Sequence, residues 1–279
     1  TSTFTAVTTV SLAANTTTYA DTTASPSTTY YLRVKASNGA GSSAYSNVVS
    51  VTTPAAPAAS AYATAVAADN PTSWWRFGEA SGTTAADGRG TNTGTYTNGP
   101  TLGQASLLPA DTASTSVRLD GTNDYVNVPS AASLNLTNAF SIEAWIRPSA
   151  LPAAGSFASV LTKAESYSIQ LNGPRLEFTI MQSGARRRLQ APAGAVVAGT
   201  TYHVVATYDG TTQRLYVNGA QVASAALSGG ATVTTSAVRI GSWDGGSEFF
   251  NGMVDEVALY STVLTATQVA NHNTKGRTG

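Results

Sequence analysis

The segment YHVVATYDGTTQRLYVNG, residues 202–219, decides the fold. It reads as a strand, a tight turn and a second strand, with Asn218-Gly219 as the hairpin-turn signal that ends it. Further on, IGSWDGGSEFFNGMVDEVALY, residues 240–260, repeats the strand, turn and strand. Outward from this pair, strands read at 73–77, 116–120, 125–128, 140–147, 166–171, 175–181 and 187–190, then at 214–217, 237–241 and 252–260. Asn172-Gly173, between Ile169 and Leu176, marks another hairpin. One helix closes the chain: Thr265 and Gln268 have capping-box spacing, and Leu264 is placed to staple onto Val269. Many short strands with a single terminal helix predict a two-sheet sandwich.

Composition agrees. The 279 residues hold 15 Lys plus Arg against 15 Asp plus Glu, and only 11% are charged, so charge offers no reason to expect nucleic acid or an anionic membrane as partner. There is no cysteine, which excludes disulfides and thiolate metal sites. No run approaches the roughly 20 apolar residues of a membrane span. Thr1 follows no basic segment or apolar core, and the reading expects a chain that starts inside a processed or longer protein.

Residues 1–54 form a separate pattern. In 30–36, Tyr30, Leu32, Val34 and Ala36 share one face, with Arg33 and Lys35 on the other. A turn at 38–41 and a strand at 47–51 follow. Residues 55–60 read as an Ala/Pro linker, semi-rigid through its prolines.

These segments carry two resemblances. The stretches at 202–219 and 240–260, with AYATAVAADNPTSWWRFGEASGTTAADGRGTNTGTY at 61–96, resemble a bacterial laminin-G-like jelly roll of the concanavalin A-like lectin/glucanase superfamily, spanning 61–275. TTYYLRVKASNGAGSSAYSN, residues 28–47, resembles the closing half of a fibronectin type III domain, with tyrosine-corner spacing from Tyr30 to Asn38. The expected fold is therefore all-β: a partial fibronectin type III sandwich, then a two-sheet jelly roll with one short C-terminal helix. The half-module is either a fragment or a sheet completed by another chain, which would allow self-association.

The laminin-G resemblance implies an extracellular or cell-surface module that binds polysaccharide or glycoprotein, or adheres through such binding, without catalysis. Two other roles fit such modules: a spacer or subunit of a surface fibre, and an accessory domain of a larger secreted glycoside hydrolase. It also implies a structural calcium held by Asp255, the Gly121 carbonyl and a group near Glu79; hard oxygens of this kind suit that ion. Read from alternation alone, Asp255 faces inward with Met253, Val257 and Leu259, or it is solvated and Glu256 is buried instead. Asp120 and Asp124 around Gly121 read first as turn residues and second as a cation cradle.

A glycan site needs an exposed ring beside polar groups. Trp243 and Asp244, followed by two glycines, meet that need in a loop; Glu143, Trp145 and Arg147 share one face of a strand and form a second candidate platform. The run Arg186-Arg187-Arg188 reads first as a guarded strand edge and second as a receptor for sulfate or uronate. Catalysis has no nominee. No Glu-x-Asp-x-x-Glu run occurs, Glu143 has no acidic neighbour on its strand, and His203 reads as structural.

Overall fold

The computed structural model describes residues 8–19, 21, 24, 25, 27–53 and 59–279. The chain divides into two compact units, Thr1–Ala58 and Ala59–Gly279. The predicted linker falls largely on 54–58, outside the described residues.

In the first unit, β1 (Thr29–Leu32) pairs antiparallel with β4 (Val49–Thr52), and β2 (Ser37–Asn38) with β3 (Gly41–Ser42). The Tyr30 hydroxyl accepts from the Ser25 N–H at 2.7 Å. None of this unit's described residues is buried, and Val34 is 73% exposed. Its alternation therefore builds strands but no core among these residues.

The second unit opens with α1 (Ala61–Ala68), capped by the Ser60 hydroxyl on the Ala63 N–H. Its strands are β5 (Ser73–Trp75), β6 (Thr84–Ala85), β7 (Gly94–Thr97), β8 (Thr101–Ala105), β9 (Thr115–Asp120), β10 (Tyr125–Val128), β11 (Phe140–Pro148), β12 (Phe157–Lys163), β13 (Tyr167–Asn172), β14 (Arg175–Gln182), β15 (Ala185–Gln190), β16 (Tyr202–Tyr208), β17 (Thr212–Val217), β18 (Ala220–Ala226), β19 (Val238–Ile240) and β20 (Asn251–Tyr260). Helix α2 (Ala266–Thr278) closes it, with the Thr265–Gln268 capping box formed as expected.

Two antiparallel sheets face each other. One runs β15-β14-β13-β12-β19-β10-β7-β6; the other runs β18-β17-β16-β11-β20-β9-β8, with β5 also on β20. Their inner faces supply the core, in which the Phe140 ring lies 5.4 Å from Tyr167, 6.0 Å from Phe178 and 5.8 Å from Tyr208. Each such side chain buried contributes about 1.5–3 kcal/mol. The nearly all-β sandwich is as expected, but it has two helices rather than one. The added helix, α1, is short and alanine-rich, so its 3.6-residue period is hard to read in an alanine-rich chain. It packs Tyr62 edge-on to Trp145, on the outer face of the β11 sheet.

Candidate functional site

In the β12–β15 sheet, alternate residues point away from the core, and apart from Phe157 and Met181 these are mostly polar. Cross-strand pairing lines up Thr95, Asn127, Arg239, Thr162, Ser168, Thr179 and Arg188 in one row over seven strands. Beside it runs a second row, Ser159, Gln170, Glu177 and Gln190. A sheet face that only had to meet water would leave such residues exposed, yet Ser159, Thr162, Ser168, Gln170 and Glu177 are fully buried.

Part of their cover is the loop 241–250. Gly245 lies against the Tyr125 ring and Arg239 Nε; a methyl group there would come within 3.0 Å and 3.2 Å of them. Its φ of +85° adds a second requirement for glycine. Asp244 Oδ1 accepts from the Gly246 N–H and the Ser247 hydroxyl, and those bonds hold its carboxyl below the ordinary range. Glu248 anchors the loop to β12: its carboxylate accepts from the Ser159 hydroxyl at 3.0 Å, and its carbonyl from the Ser159 N–H. Burial pushes the Glu248 carboxyl up. Trp243 is half-buried, with the Arg186 guanidinium 4.5 Å over its ring.

Below the loop, Glu177 is saturated by neutral donors. Gln170 and Thr179 donate to Oε1; Asn172 and Gln190 donate to Oε2. Two polar atoms nearby, Thr162 Oγ1 and Arg239 Nε, have no partner among the described residues; their residues are paired across β12 and β19.

Trp243 and Asp244 lie in the loop over this face, with the Trp243 ring half-buried under Arg186 rather than open. The second platform requires correction. Glu143 and Trp145 do share a face, but helices α1 and α2 cover it, and both residues are fully buried. Gly276 of α2 lies so close to the Trp145 indole that no Cβ fits between them. Arg147 alone is exposed, donating to the Gly199 carbonyl at 3.0 Å. No sugar can stack on this tryptophan while the helices are seated.

That covered layer is a hydrogen-bonded clamp. The Glu143 carboxylate accepts from Tyr62 at 3.0 Å and Tyr260 at 2.6 Å, and meets His203 at 2.8 Å and His272 at 3.1 Å. Burial alone would raise its carboxyl, but the His272 charge and the histidine hydrogen bonds hold it well below the carboxylate range. Burial would lower His272 in turn, and Glu143 and Asp69 instead lift it to about 8. His272 Nε2 lies 2.9 Å from Asp69 Oδ2 without hydrogen-bond alignment.

Asp255 follows neither expected register. A bulge on β20, with Glu256 at φ +49°, sends Val254 and Val257 inward and turns both carboxylates to the covered outer face. Asp255 Oδ2 accepts from the Leu107 N–H and the Ser106 hydroxyl. Burial and the neighbouring Glu256 push its carboxyl well up. Burial likewise lifts Glu256 to about 7, against the pull of Arg76, which also pairs with Asp111.

The expected calcium ligands do not fit one cation. Gly121 follows Asp120, which pairs with Asn251, so Asp255 lies four residues along β20, about 13 Å away at strand rise. Glu79 is held by the Ala86 N–H and the Tyr96 hydroxyl, with Tyr96 on the other sheet. The cation beside Glu256 is a guanidinium. No group of three or more His, Asp or Glu among the described residues is arranged to hold a metal. Asp120 instead accepts from the N–H groups of Thr122 and Asn123, as a turn residue does.

Sequence reasoning missed Phe157 and the polar rows. Their signal was present in Ser168, Gln170 and Asn172 against Glu177 and Thr179, but only strand register shows that these share one face.

Residues 120–270 match the family model described as the concanavalin A-like lectin/glucanases superfamily. The chain belongs to this superfamily. Among solved structures, the superfamily domain here is similar to the botulinum neurotoxin serotype G binding domain, with TM-score 0.60 and 12% identity over 73% of this chain and 50% of that one. It is similar to domain 4 of an extracellular arabinanase from Geobacillus stearothermophilus, in complex with arabinotriose, with TM-score 0.54 and 18% identity over 73% and 98% of the two chains. A third is Trypanosoma rangeli sialidase in complex with the inhibitor DANA, with TM-score 0.52 and 16% identity over 72% and 32%. The chain spans about half the length of the neurotoxin binding domains it matches. At these identities the likeness is one of fold. In a comparison with curated proteins, none matches.

Proposed function

We propose that the second unit is a non-catalytic carbohydrate-binding module whose ligand seats on the polar face beside Trp243. The observation that carries this reading is the pair of polar rows, with a half-buried indole above them. Hydroxyl and amide groups in a fixed array suit sugar hydroxyls, and a ring suits a sugar's apolar face. Similar folds were solved with arabinotriose and with N-acetylneuraminic acid, which supports saccharide as the ligand class. The acidic groups favour binding over hydrolysis. Glu143 is sealed, Glu177 is saturated, and Asp244 and Glu248 each commit an oxygen to fixing the loop.

The coverage of 98% of arabinanase domain 4 favours one wider context, an accessory module of a larger secreted glycoside hydrolase. Extracellular or surface location belongs to this proposal, as does the reading of the first unit as the closing half of a fibronectin type III domain.

The test is a saccharide binding panel including arabinan, run with wild type and Trp243→Ala, with reducing-sugar release followed in parallel. Wild type is expected to bind without releasing sugar. Trp243→Ala is expected to lose about tenfold or more in affinity while its melting temperature moves by no more than about 2 °C. No saccharide bound at roughly millimolar concentration sinks the reading.

A further inference from the structure

We infer that the saccharide bound on this face carries a carboxylate, and that Arg186 and Arg188 receive it. This rests on the reading of the face as a sugar site and names its ligand class, an acidic sugar such as a uronate or a sialate.

The argument starts from alternation. Arg186, Arg187 and Arg188 are three of the chain's fifteen Lys and Arg residues, all exposed on the edge strand β15. Pairing of Arg188 with Thr179 puts it on the polar face, and Arg186 joins it two residues away; Arg187 points to the other side. Each of the two has a ring beneath it: Arg186 lies 4.5 Å over Trp243, and Arg188 lies 5.4 Å from Phe157. Stacking uses the flat face of a guanidinium and leaves its in-plane N–H groups pointing outward. Those donors are available. The Arg186 side chain makes no hydrogen bond or ion pair with the described residues, and Arg188 comes no nearer than 3.7 Å to Glu177, whose oxygens already hold four other donors.

The charge on this face is therefore divided by depth. Its central carboxylate is buried and satisfied, Asp244 and Glu248 are held by donors of the loop and of Ser159, and the two guanidiniums stand exposed over rings with no hydrogen-bonded acceptor among the described residues. A carboxylate is the group that a guanidinium fork binds in two parallel bonds. Guarding a strand edge would need charge alone. It would require neither a ring under each arginine nor a difference between Arg187 and its neighbours.

Binding of the full chain should be measured by calorimetry with polygalacturonate and with sialyllactose, using arabinan and lactose as neutral counterparts and dextran sulfate as a plain polyanion. One carboxylated probe is expected to bind better than its neutral counterpart, and which one binds distinguishes uronate from sialate. Arg186→Gln and Arg188→Gln should each weaken it by about tenfold, while Arg187→Gln leaves it unchanged. Thermal melting of each variant establishes that it is folded. Neutral probes bound as well as acidic ones, with no effect of the arginine variants, overturn the inference and leave the module reading intact. Equal losses in all three variants, or dextran sulfate bound as tightly as the carboxylated probe, also overturn it, since either marks plain polyanion attraction. If no probe binds, both readings fall.

Discussion

The two sheets each turn a polar layer away from the shared core, and each layer holds a carboxylate with no exposure, Glu143 on one and Glu177 on the other. Their partners differ. Glu143 faces two tyrosines and two histidines, of which Tyr62 and His272 come from the helices that cover it. Glu177 faces amides and a hydroxyl from its own sheet. The first carboxylate ties separate elements together and belongs to stability. The second completes a surface built within one sheet, leaving the cations above it open to a ligand. A buried acid is thus better judged by where its donors originate than by its burial.

The largest test of this comparison is deletion of each carboxylate. Glu143→Ala leaves His203 and two tyrosine hydroxyls without this acceptor beneath the helices and His272 with Asp69 alone, and is expected to cost about 3–5 kcal/mol. In denaturant titration and thermal melting that corresponds to a fall of roughly 10 °C. Glu177→Ala removes an acceptor from neutral donors on one sheet and should cost clearly less. Equal losses would break the distinction between clamp and surface.

A second test uses pH. The His272 ring is flanked by Glu143 on β11 and Asp69 just after α1, and its folded pKa of about 8 lies above the free value of 6.5. A group raised on folding stabilises fully below its unfolded pKa, and that stability is lost as pH rises through the folded one. The contribution, on the order of 2 kcal/mol, should therefore disappear between about pH 6.5 and pH 8. Glu256, raised to about 7 from 4.5, acts in the same direction over a lower window. Stability is expected to fall from pH 5 to pH 8.5, and His272→Gln should flatten the upper part of that slope. A wild-type curve that is level over this range would remove the charged histidine from the clamp.

Much of the sandwich was legible because period-two alternation survives wherever a strand is regular: 125–128 and 202–208 are strands at the predicted bounds. It fails where a strand is not regular. Phe157–Lys163 was missed because a register shift between Ser159 and Leu161 puts the adjacent residues Val160 and Leu161 both in the core. Ala220–Ala226 was missed because its residues are mostly small and partly exposed. The same limits govern the sites. Glu143 and Trp145 were correctly placed on one face, but a strand's alternation says nothing of what packs on that face, and here two helices do. Trp243 was nominated from the glycines that follow it. Arg186 joined it only through the pairing of β14 with β15, which no local pattern states.

The smallest effect expected comes from Asp255. With its carboxyl pushed well above the ordinary range by burial and by Glu256, the side chain tends to its neutral form, and an asparagine side chain would match that form in shape and charge. One oxygen would remain to accept from the Leu107 N–H. Asp255→Asn should therefore stay within about 1 kcal/mol of wild type or gain slightly from lost repulsion. Melting of both proteins with calcium and with chelator turns this small effect into a sharp one. An aspartate neutral beneath the helices predicts superposable curves in the two conditions. A calcium-dependent rise that the variant loses would mean that this carboxylate is ionised on a metal. The covered layer would then hold a ligand site as well as a clamp, and the contrast between the two sheets would have to be drawn again.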